Sequence, residues 1–349
     1  MTCRGGGTGR TIVYNQDMVG FVSSHRLIEH ETGPRHPERP DRIRAIHRAV
    51  REAGFVRSPD PFPDFRVDMG ISPQPNSLVE ITPFPAGDEV IRLIHPQEII
   101  DRVKHVCDLS GVLDQGDTPT CPQSFDIARL SVGCGLAAGD AVMHGQVRRA
   151  FATCRPPGHH AEPDRPMGFC LFSNIAIVAR YLQDKYQLGK IAIVDFDVHH
   201  GNGTQACFED DPSVLFISLH QHPDTLYPGS GYAYETGDGP GRGTTVNIPL
   251  SPGTDDRGYL EAFDRRAMPV VDRFKPEMLL ISAGFDAHAE DPLAQLQLTD
   301  DGFADITRRL VECANQHTCG KIVSLLEGGY NLSVLGRCVV RHLIELCRE

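Results

Sequence analysis

The stretch Ile191 to Thr204 reads I-A-I-V-D-F-D-V-H-H-G-N-G-T. Four apolar residues run without interruption into Asp195, Asp197, His199 and His200, and the run breaks at Gly201 and Gly203. Such a run predicts a strand buried on both faces, as in a parallel sheet covered by helices. If the chain stays extended past Val194, side chains alternate, so Asp195, Asp197 and His199 share one face. Two carboxylates and an imidazole at the end of a buried strand are costly to desolvate without a partner. A divalent cation is the natural partner. Oxygen and nitrogen donors of this kind suit zinc, with two of a catalytic site's three protein ligands arriving from one strand.

The rest of the chain constrains the fold in the same direction. From Arg149 onward, strand and helix patterns alternate. Strands are predicted at 149–153, 190–194, 213–219, 244–248, 278–282 and 321–326, with helices over 174–186, 255–274, 300–314 and 332–346. Before them, Thr11 to Tyr14 reads as a first strand, residues 25–40 as a loop and residues 41–52 as a helix stopped by Gly54. Residues 56–77 read as a long surface loop, 78–81 as a short strand, and 96–107 and 122–144 as helices. Alternating elements predict a mostly parallel sheet with helices on both faces. Residues 1–10 are Gly-rich and expected to be flexible. No linker divides the remainder, so residues 11–349 are expected to form one domain.

Five polar clusters follow predicted strands directly: Arg155–His160, Asp195–Gly203, Ser218–His220, Gly284–His288 and Glu327–Tyr330. The carboxyl edge of an open parallel sheet is where ligands bind. Asp286, after the run Met278 to Ile281, reads as a third metal ligand beside Asp197 and His199, leaving an open position for water or substrate. A lone Asp after a strand also serves as a helix cap; beside the 195–203 segment the ligand reading is preferred. His288 ranks below Asp286 and reads as a pocket wall. His159 and His160, stiffened by Pro156-Pro157 and freed by Gly158, offer an imidazole base near neutrality, and Asp195 is a candidate to orient one of them. The glycines of Glu327-Gly328-Gly329-Tyr330 would let a phenol enter the crevice as an oxyanion donor.

Composition excludes several classes. There are 46 acidic against 34 basic residues, a formal charge of −12, and no basic run breaks that balance, so binding to nucleic acid through a basic face is not expected. The 11 cysteines are odd in number and lack a C-x-x-C spacing, which reads as free thiols in a reducing compartment. No apolar window of signal-peptide or membrane-span length occurs, so a cytoplasmic protein without membrane association is expected.

R-P-P-G-H-H at 155–160, G-F-C at 168–170, D-F-D-V-H-H-G-N-G-T at 195–204, S-A-G-F-D-A-H at 282–288 and E-G-G-Y-N at 327–331 together resemble the zinc-dependent histone deacetylase family, on the class II and bacterial amidohydrolase-like branch. The likeness runs from about residue 11 to the C-terminus. It implies a single-domain, three-layer α/β fold of the arginase/deacetylase kind and hydrolysis of N-acetyl or other N-acyl amides of lysine side chains. By resemblance, Asp197, His199 and Asp286 hold one zinc ion. His160 is the general base and acid, His159 paired with Asp195 its electrostatic partner, and Tyr330 the transition-state tyrosine. Asn202 stands where class I members carry Asp, so His160 is expected to be less basic than theirs. Gly168, Phe169 and Tyr227 match the walls of the acyl-lysine tunnel, Asp117 an acid that grips the substrate backbone, and Arg42 an arginine of an internal acetate channel. Two structural potassium ions are implied. One would sit on carbonyls of Asp195, Asp197, His199 and Leu219 with the side chains of Asp197 and Ser218; the other on carbonyls near Phe208, Asp211 and Val214. Homo-oligomers occur among bacterial relatives.

Three alternatives remain at this level. A deacetylase of acetylated polyamines or other small amines is disfavoured because Leu293 stands where polyamine-selective relatives carry an acidic gatekeeper. A two-manganese ureohydrolase on the related fold is disfavoured by Gly201 and Asn202, where that chemistry needs further acidic ligands. A non-enzymatic acyl-lysine binding module is disfavoured by the complete ligand set and Tyr330. His200 has no role from spacing and is expected to be structural.

Overall fold

The computed structural model describes residues 18–65, 70 and 78–348. The expected strand at Thr11–Tyr14, the flexible residues 1–10 and most of the loop after residue 65 lie outside the described residues. Eight strands form one sheet: β1 (Val19–Val22), β2 (Leu78–Ile81), β3 (Arg149–Ala152), β4 (Ile191–Asp195), β5 (Val214–Gln221), β6 (Thr245–Leu250), β7 (Met278–Ala283) and β8 (Ile322–Leu326). Their order is β2-β1-β3-β8-β7-β4-β5-β6, and every pairing is parallel. Every residue of β4, β5, β7 and β8 is buried, as unbroken apolar runs in a doubly covered sheet require.

The helices are α1 (Asp41–Glu52), α2 (Asp88–Ile91), α3 (Gln97–Asp108), α4 (Ser124–Met143), α5 (Asn174–Tyr186), α6 (Asn202–Phe208), α7 (Asp256–Ala262), α8 (Met268–Phe274), α9 (Asp300–His317) and α10 (Leu332–Leu346). α1, α9 and α10 pack as one group and α4 with α5 as another. Strand β8 shows how the sheet lies between them. Ser324 hydrogen-bonds His342 on α10 at 2.9 Å, while the next residue, Leu325, faces α4 at Gly135, where a Cβ would come within 3.3 Å of it. Successive side chains therefore serve opposite layers.

Two elements depart from expectation. The helix expected over 255–274 is interrupted by a π turn at Phe263–Ala267. Pro269, early in α8, has no N–H for the preceding turn and its ring crowds the carbonyl four residues back, so the backbone widens there. Segment 25–40 contains a 3₁₀ turn at His25–Glu29, capped by Ser24.

Candidate active site

Strand β4 delivers Asp195 at its last position, and the chain then turns instead of staying extended. Asp195 Oδ1 accepts the Asp197 amide at 3.1 Å and Asp197 Oδ1 accepts the His199 amide at 2.9 Å. The three side chains therefore do not share a single face. Asp195 turns to His159, its Oδ2 3.0 Å from Nδ1. Asp197 and His199 turn instead to Asp286, which follows the neighbouring strand β7. His199 Nδ1 lies 3.1 Å from Asp197 Oδ1 and 3.2 Å from Asp286 Oδ2. The donor atoms of Asp197, His199 and Asp286 all fall within 4.8 Å of one another, and all three residues are buried.

This cluster fits a metal. Zinc–ligand bonds of ~2.0–2.1 Å at a tetrahedral angle put donor atoms about 3.3 Å apart, close to the His199 spacings. The remaining carboxylate valences are taken by backbone amides: Gly328 N–H donates to Asp197 Oδ2 at 2.7 Å and Val198 N–H to Asp286 Oδ1 at 2.9 Å. Glycine is required for that approach. A Cβ on Gly284 would lie 2.0 Å from Asp197 Oδ2, and one on Gly328 2.0 Å from Asp286 Oδ2. The electrostatics also call for a cation. Burial opposes charge on His199, yet Asp197 and Asp286 raise it to about 10. Burial and the Asp197 carboxylate both raise Asp286.

His159 and His160 stand beside this cluster, ring centroids 4.0 Å apart. Glu327 at the end of β8 holds their loop, its Oε2 accepting Gly158 N–H at 2.7 Å and His159 N–H at 3.1 Å. Burial would make His159 less basic, but Asp197 and Asp195 reverse that and bring it to about 10. His160 moves the other way: burial, then the charges of His159 and His199, hold it well below the ordinary histidine value. Its Nδ1 lies 2.8 Å from Asn202 Oδ1. The paired imidazoles are thus split, one raised toward the cation and the other held toward the neutral form.

A cavity of about 210 Å³ leads to His160 and His199 past Gly168, Phe169, Tyr227, Leu226, Leu293, Tyr330 and Asp117. Phe169 adopts φ +68°, an uncommon left-handed conformation for such a side chain, after Gly168 at φ +57°. Asp114 and Thr118 hold the turn, accepting Gly168 N–H at 3.1 Å and Phe169 N–H at 3.0 Å. A Cβ on Gly168 would strike the His160 ring at 2.6 Å. Burial and the Asp286 charge raise Tyr330 well above the ordinary phenol value, so its hydroxyl stays protonated.

A family model for the histone deacetylase domain matches residues 36–346. The chain belongs to the histone deacetylase family. It is 41% identical over 315 residues to a "Probable deacetylase" of Archaeoglobus fulgidus, covering 90% of this chain and 82% of that protein. It is 40% identical over 262 residues to a "Histone deacetylase-like amidohydrolase" of Pseudomonas aeruginosa, covering 75% and 69%. Among solved structures, the HD domain of HDA15 superposes with a TM-score of 0.84 at 34% identity, covering 95% of this chain and 90% of that one. The expected family and three-layer fold are therefore right, and the deacetylase family makes this a hydrolytic enzyme.

The other residues singled out for a deacetylase fall as follows. Arg42 is fully buried and braces the turn that carries Tyr330: Nε donates to Gly329 O at 2.7 Å, Nη2 to Glu327 O and Nη1 to Glu38 Oε1 at 3.2 Å. Ser218 pairs in register with Asp195, and its hydroxyl lies 2.8 Å from His220 Nδ1; Leu219 is buried on β5. Phe208 and Asp211 flank the turn from α6 into Val214, their carbonyls accepting the amides of Asp211 and Val214. His200 ties α6 to the loop bearing Tyr227, through Ser230 and Gln205, each at 2.9 Å.

His288 lies apart from the Asp197 cluster, in a second group with Asp300 and Cys338. The Glu290 amide donates to His288 Nδ1 at 3.0 Å, so that nitrogen accepts and Nε2, 3.2 Å from Asp300, is the one that donates. Arg337 already takes the other Asp300 oxygen at 2.8 Å. Sequence reasoning passed over Asp291. Its carboxylate accepts the amides of Tyr330 at 2.7 Å and Leu293 at 3.1 Å, so it joins the two sides of the cavity. The signal was present in D-P-L, where an Asx turn before Pro is common, but its long-range partner was not visible. Glu162, which reaches Asn202, was missed for the same reason.

Proposed function

We propose that this chain is a zinc-dependent deacetylase that hydrolyses N-acetyl amides of lysine side chains. The convergence of Asp197, His199 and Asp286 at the closed end of the cavity that also presents His160 and Tyr330 carries this reading. A bound zinc ion would polarise the acyl carbonyl and lower the pKa of an incoming water. His160, neutral and bare at Nε2, takes a proton from the water as the water oxygen bonds to the acyl carbon and the carbonyl π pair moves onto its oxygen. Tyr330 donates its hydroxyl hydrogen to the carbonyl oxygen as that oxygen gains negative charge. His159, charged beside Asp195, stabilises the anionic intermediate. The proton on His160 then passes to the leaving amine, which departs as the carbon–nitrogen bond breaks.

A second basin of about 930 Å³ adjoins the cavity mouth and shares Asp117 and Tyr227 with it. It mixes Val112, Leu113 and Met167 with Arg102, Asp164 and Gln115. A basin of that breadth suits the chain flanking an acetylated lysine; its acidic lining, Asp114, Asp117, Glu162 and Asp164 against Arg102 and Arg165, favours a cationic chain, and in the narrower cavity Leu293 offers no acceptor for a second ammonium. We further place potassium at the turns after β4 and around Phe208, Asp211 and Val214. Nine of the described cysteines are free thiols, whereas Cys319 is disulfide-bonded, so the expected full set of free thiols is not met. The test is turnover of an acetyl-lysine peptide against acetylspermidine and acetylputrescine by the metal-loaded enzyme, with metal content measured in parallel. Faster hydrolysis of either polyamine would overturn the lysine assignment, and absence of any turnover at full zinc occupancy would overturn the enzyme.

A further inference from the structure

We propose that Glu162 is a positioning residue that fixes which way round the Asn202 amide sits, and through it which nitrogen of His160 is free to accept a proton. The inference rests on the reading of His160 as the proton acceptor. An amide is nearly symmetric in shape, and its two ends differ only in what they bond to. Asn202 meets His160 Nδ1 with one end, at 2.8 Å, and Glu162 Oε1 with the other, at 2.7 Å. A carboxylate only accepts, so Glu162 must face the NH₂ group. The carbonyl end is then left for His160, which must carry its proton on Nδ1 and keep Nε2 bare. With the amide reversed, Nδ2 would donate to His160 Nδ1, the proton would move to Nε2, and the ring could not act as a base there. The other contacts of Nδ2, to His160 O and to Met167 Sδ, both at 3.5 Å, are acceptors that favour the same orientation more weakly than the charged Glu162 at 2.7 Å.

The chain holds Glu162 for this contact. Glu162 and Arg165 exchange backbone hydrogen bonds at 2.9 and 3.2 Å, and Arg165 Nη2 takes the second carboxylate oxygen at 2.9 Å. The start of α6 is pressed onto the same segment. Thr204 N–H donates to His159 O at 3.1 Å, and a Cβ on Gly203 would lie 2.3 Å from Ala161 O.

The test uses the full-length zinc-loaded enzyme and an acetyl-lysine peptide. Glu162→Ala should lower kcat about tenfold, a part of the full general-base contribution, with KM within about twofold of the parent. Glu162→Gln, whose amide oxygen still accepts from Asn202, should recover most of that loss. Asn202→Asp sets two carboxylates 2.7 Å apart and should lower kcat, whereas the double variant Asn202→Asp/Glu162→Gln restores a donor–acceptor pair and should regain most of it. In parallel, ¹⁵N spectra of histidine-labelled protein, with His160 identified by its loss in His160→Ala, read the tautomer directly in folded molecules. The Nδ1–H form should dominate in the parent and give way in Glu162→Ala. Parent kcat with an unchanged tautomer in Glu162→Ala, or a double variant no better than Asn202→Asp alone, would overturn the proposal. An inactive parent with full zinc would sink the deacetylase reading instead, and the tautomer spectra would still decide the role of Glu162.

Discussion

Two clusters among the described residues bring a histidine and an aspartate to about 3.2 Å beside a third metal-ligating side chain: Asp197, His199 and Asp286, and His288, Asp300 and Cys338. Residue type and spacing do not separate them; their surroundings do. Around the first, the carboxylate oxygens that do not face His199 accept backbone amides, and the next cation, His159, keeps its Nε2 3.9 Å from Asp197 Oδ1, beyond hydrogen-bond distance. Around the second, Arg337 neutralises Asp300, and the Glu290 amide fixes the His288 proton on the nitrogen that a metal would need. Metal-bound histidine normally donates its outer N–H, and here the outer nitrogen accepts instead. A metal site is thus recognised by the charge it leaves unpaired.

The strongest test of this contrast removes one carboxylate from each cluster. Asp286→Ala should abolish zinc binding and cut turnover by ~10³-fold or more, with metal content and peptide hydrolysis as readouts. Asp300→Asn should leave the metal stoichiometry of the parent and cost roughly 1–3 kcal/mol of stability through its partners Arg337 and His288, measured by denaturant unfolding. Equal metal loss in both variants would erase the distinction. Next in size, Tyr330→Phe should keep the metal while lowering kcat roughly 10²–10³-fold, the range for loss of one oxyanion donor; a fall in metal content would show that the phenol supports the cluster instead. Leu293→Glu should raise the kcat/KM of acetylspermidine relative to an acetyl-lysine peptide by about two- to fivefold, the scale of one new partly exposed ion pair. An unchanged ratio would remove Leu293 from specificity.

The smallest effect concerns histidines that, like His288, are buried without a metal. Burial, the first cause for each, lowers His47 to about 4, His95 to about 4 and His342 to about 3, from 6.5. The unfolded chain therefore binds protons that the folded chain refuses, and stability falls as pH drops from about 6.5 toward 4. The loss should be about 1 kcal/mol per histidine between pH 6.5 and 5.5. A melting temperature flat across that window would contradict the burial of these rings.

Much of this architecture was legible in the chain because its strands are continuous apolar runs ending in polar residues. The strand at 191–195, the helices at 174–186 and 332–346, and the clusters placed after strands follow from patterns local in sequence. The strand Val19–Val22 was not, since Gly20 weakens a short apolar run; a Cβ there would crowd Ile81 at 2.8 Å, Ala150 at 3.1 Å and Val147 at 3.2 Å, so the close packing favours glycine. The turn after Asp195 was read as extended, because the backbone bonds that curl it are made by the same side chains that alternation sorts onto one face. Asp291 and Glu162 were missed because their partners lie 39 and 40 residues away. Periodicity reports burial; it does not report which distant amide a carboxylate will meet.

The strand order β2-β1-β3-β8-β7-β4-β5-β6 has a consequence for how the enzyme comes into being. The last of the described strands in chain order, β8, is the keystone between two blocks, pairing Arg149 with Ile322 on one side and Leu279 with Ile322 on the other. Until residue 326 has emerged, the nascent sheet is two separate pieces, each with an open edge. Contacts so far apart in sequence close slowly and late. The glycine turn and Tyr330 follow β8 directly, so a partly synthesised chain can gather Asp197, His199 and Asp286 while still lacking the phenol. Assembly of the whole site thereby waits on β8 and the turn that follows it.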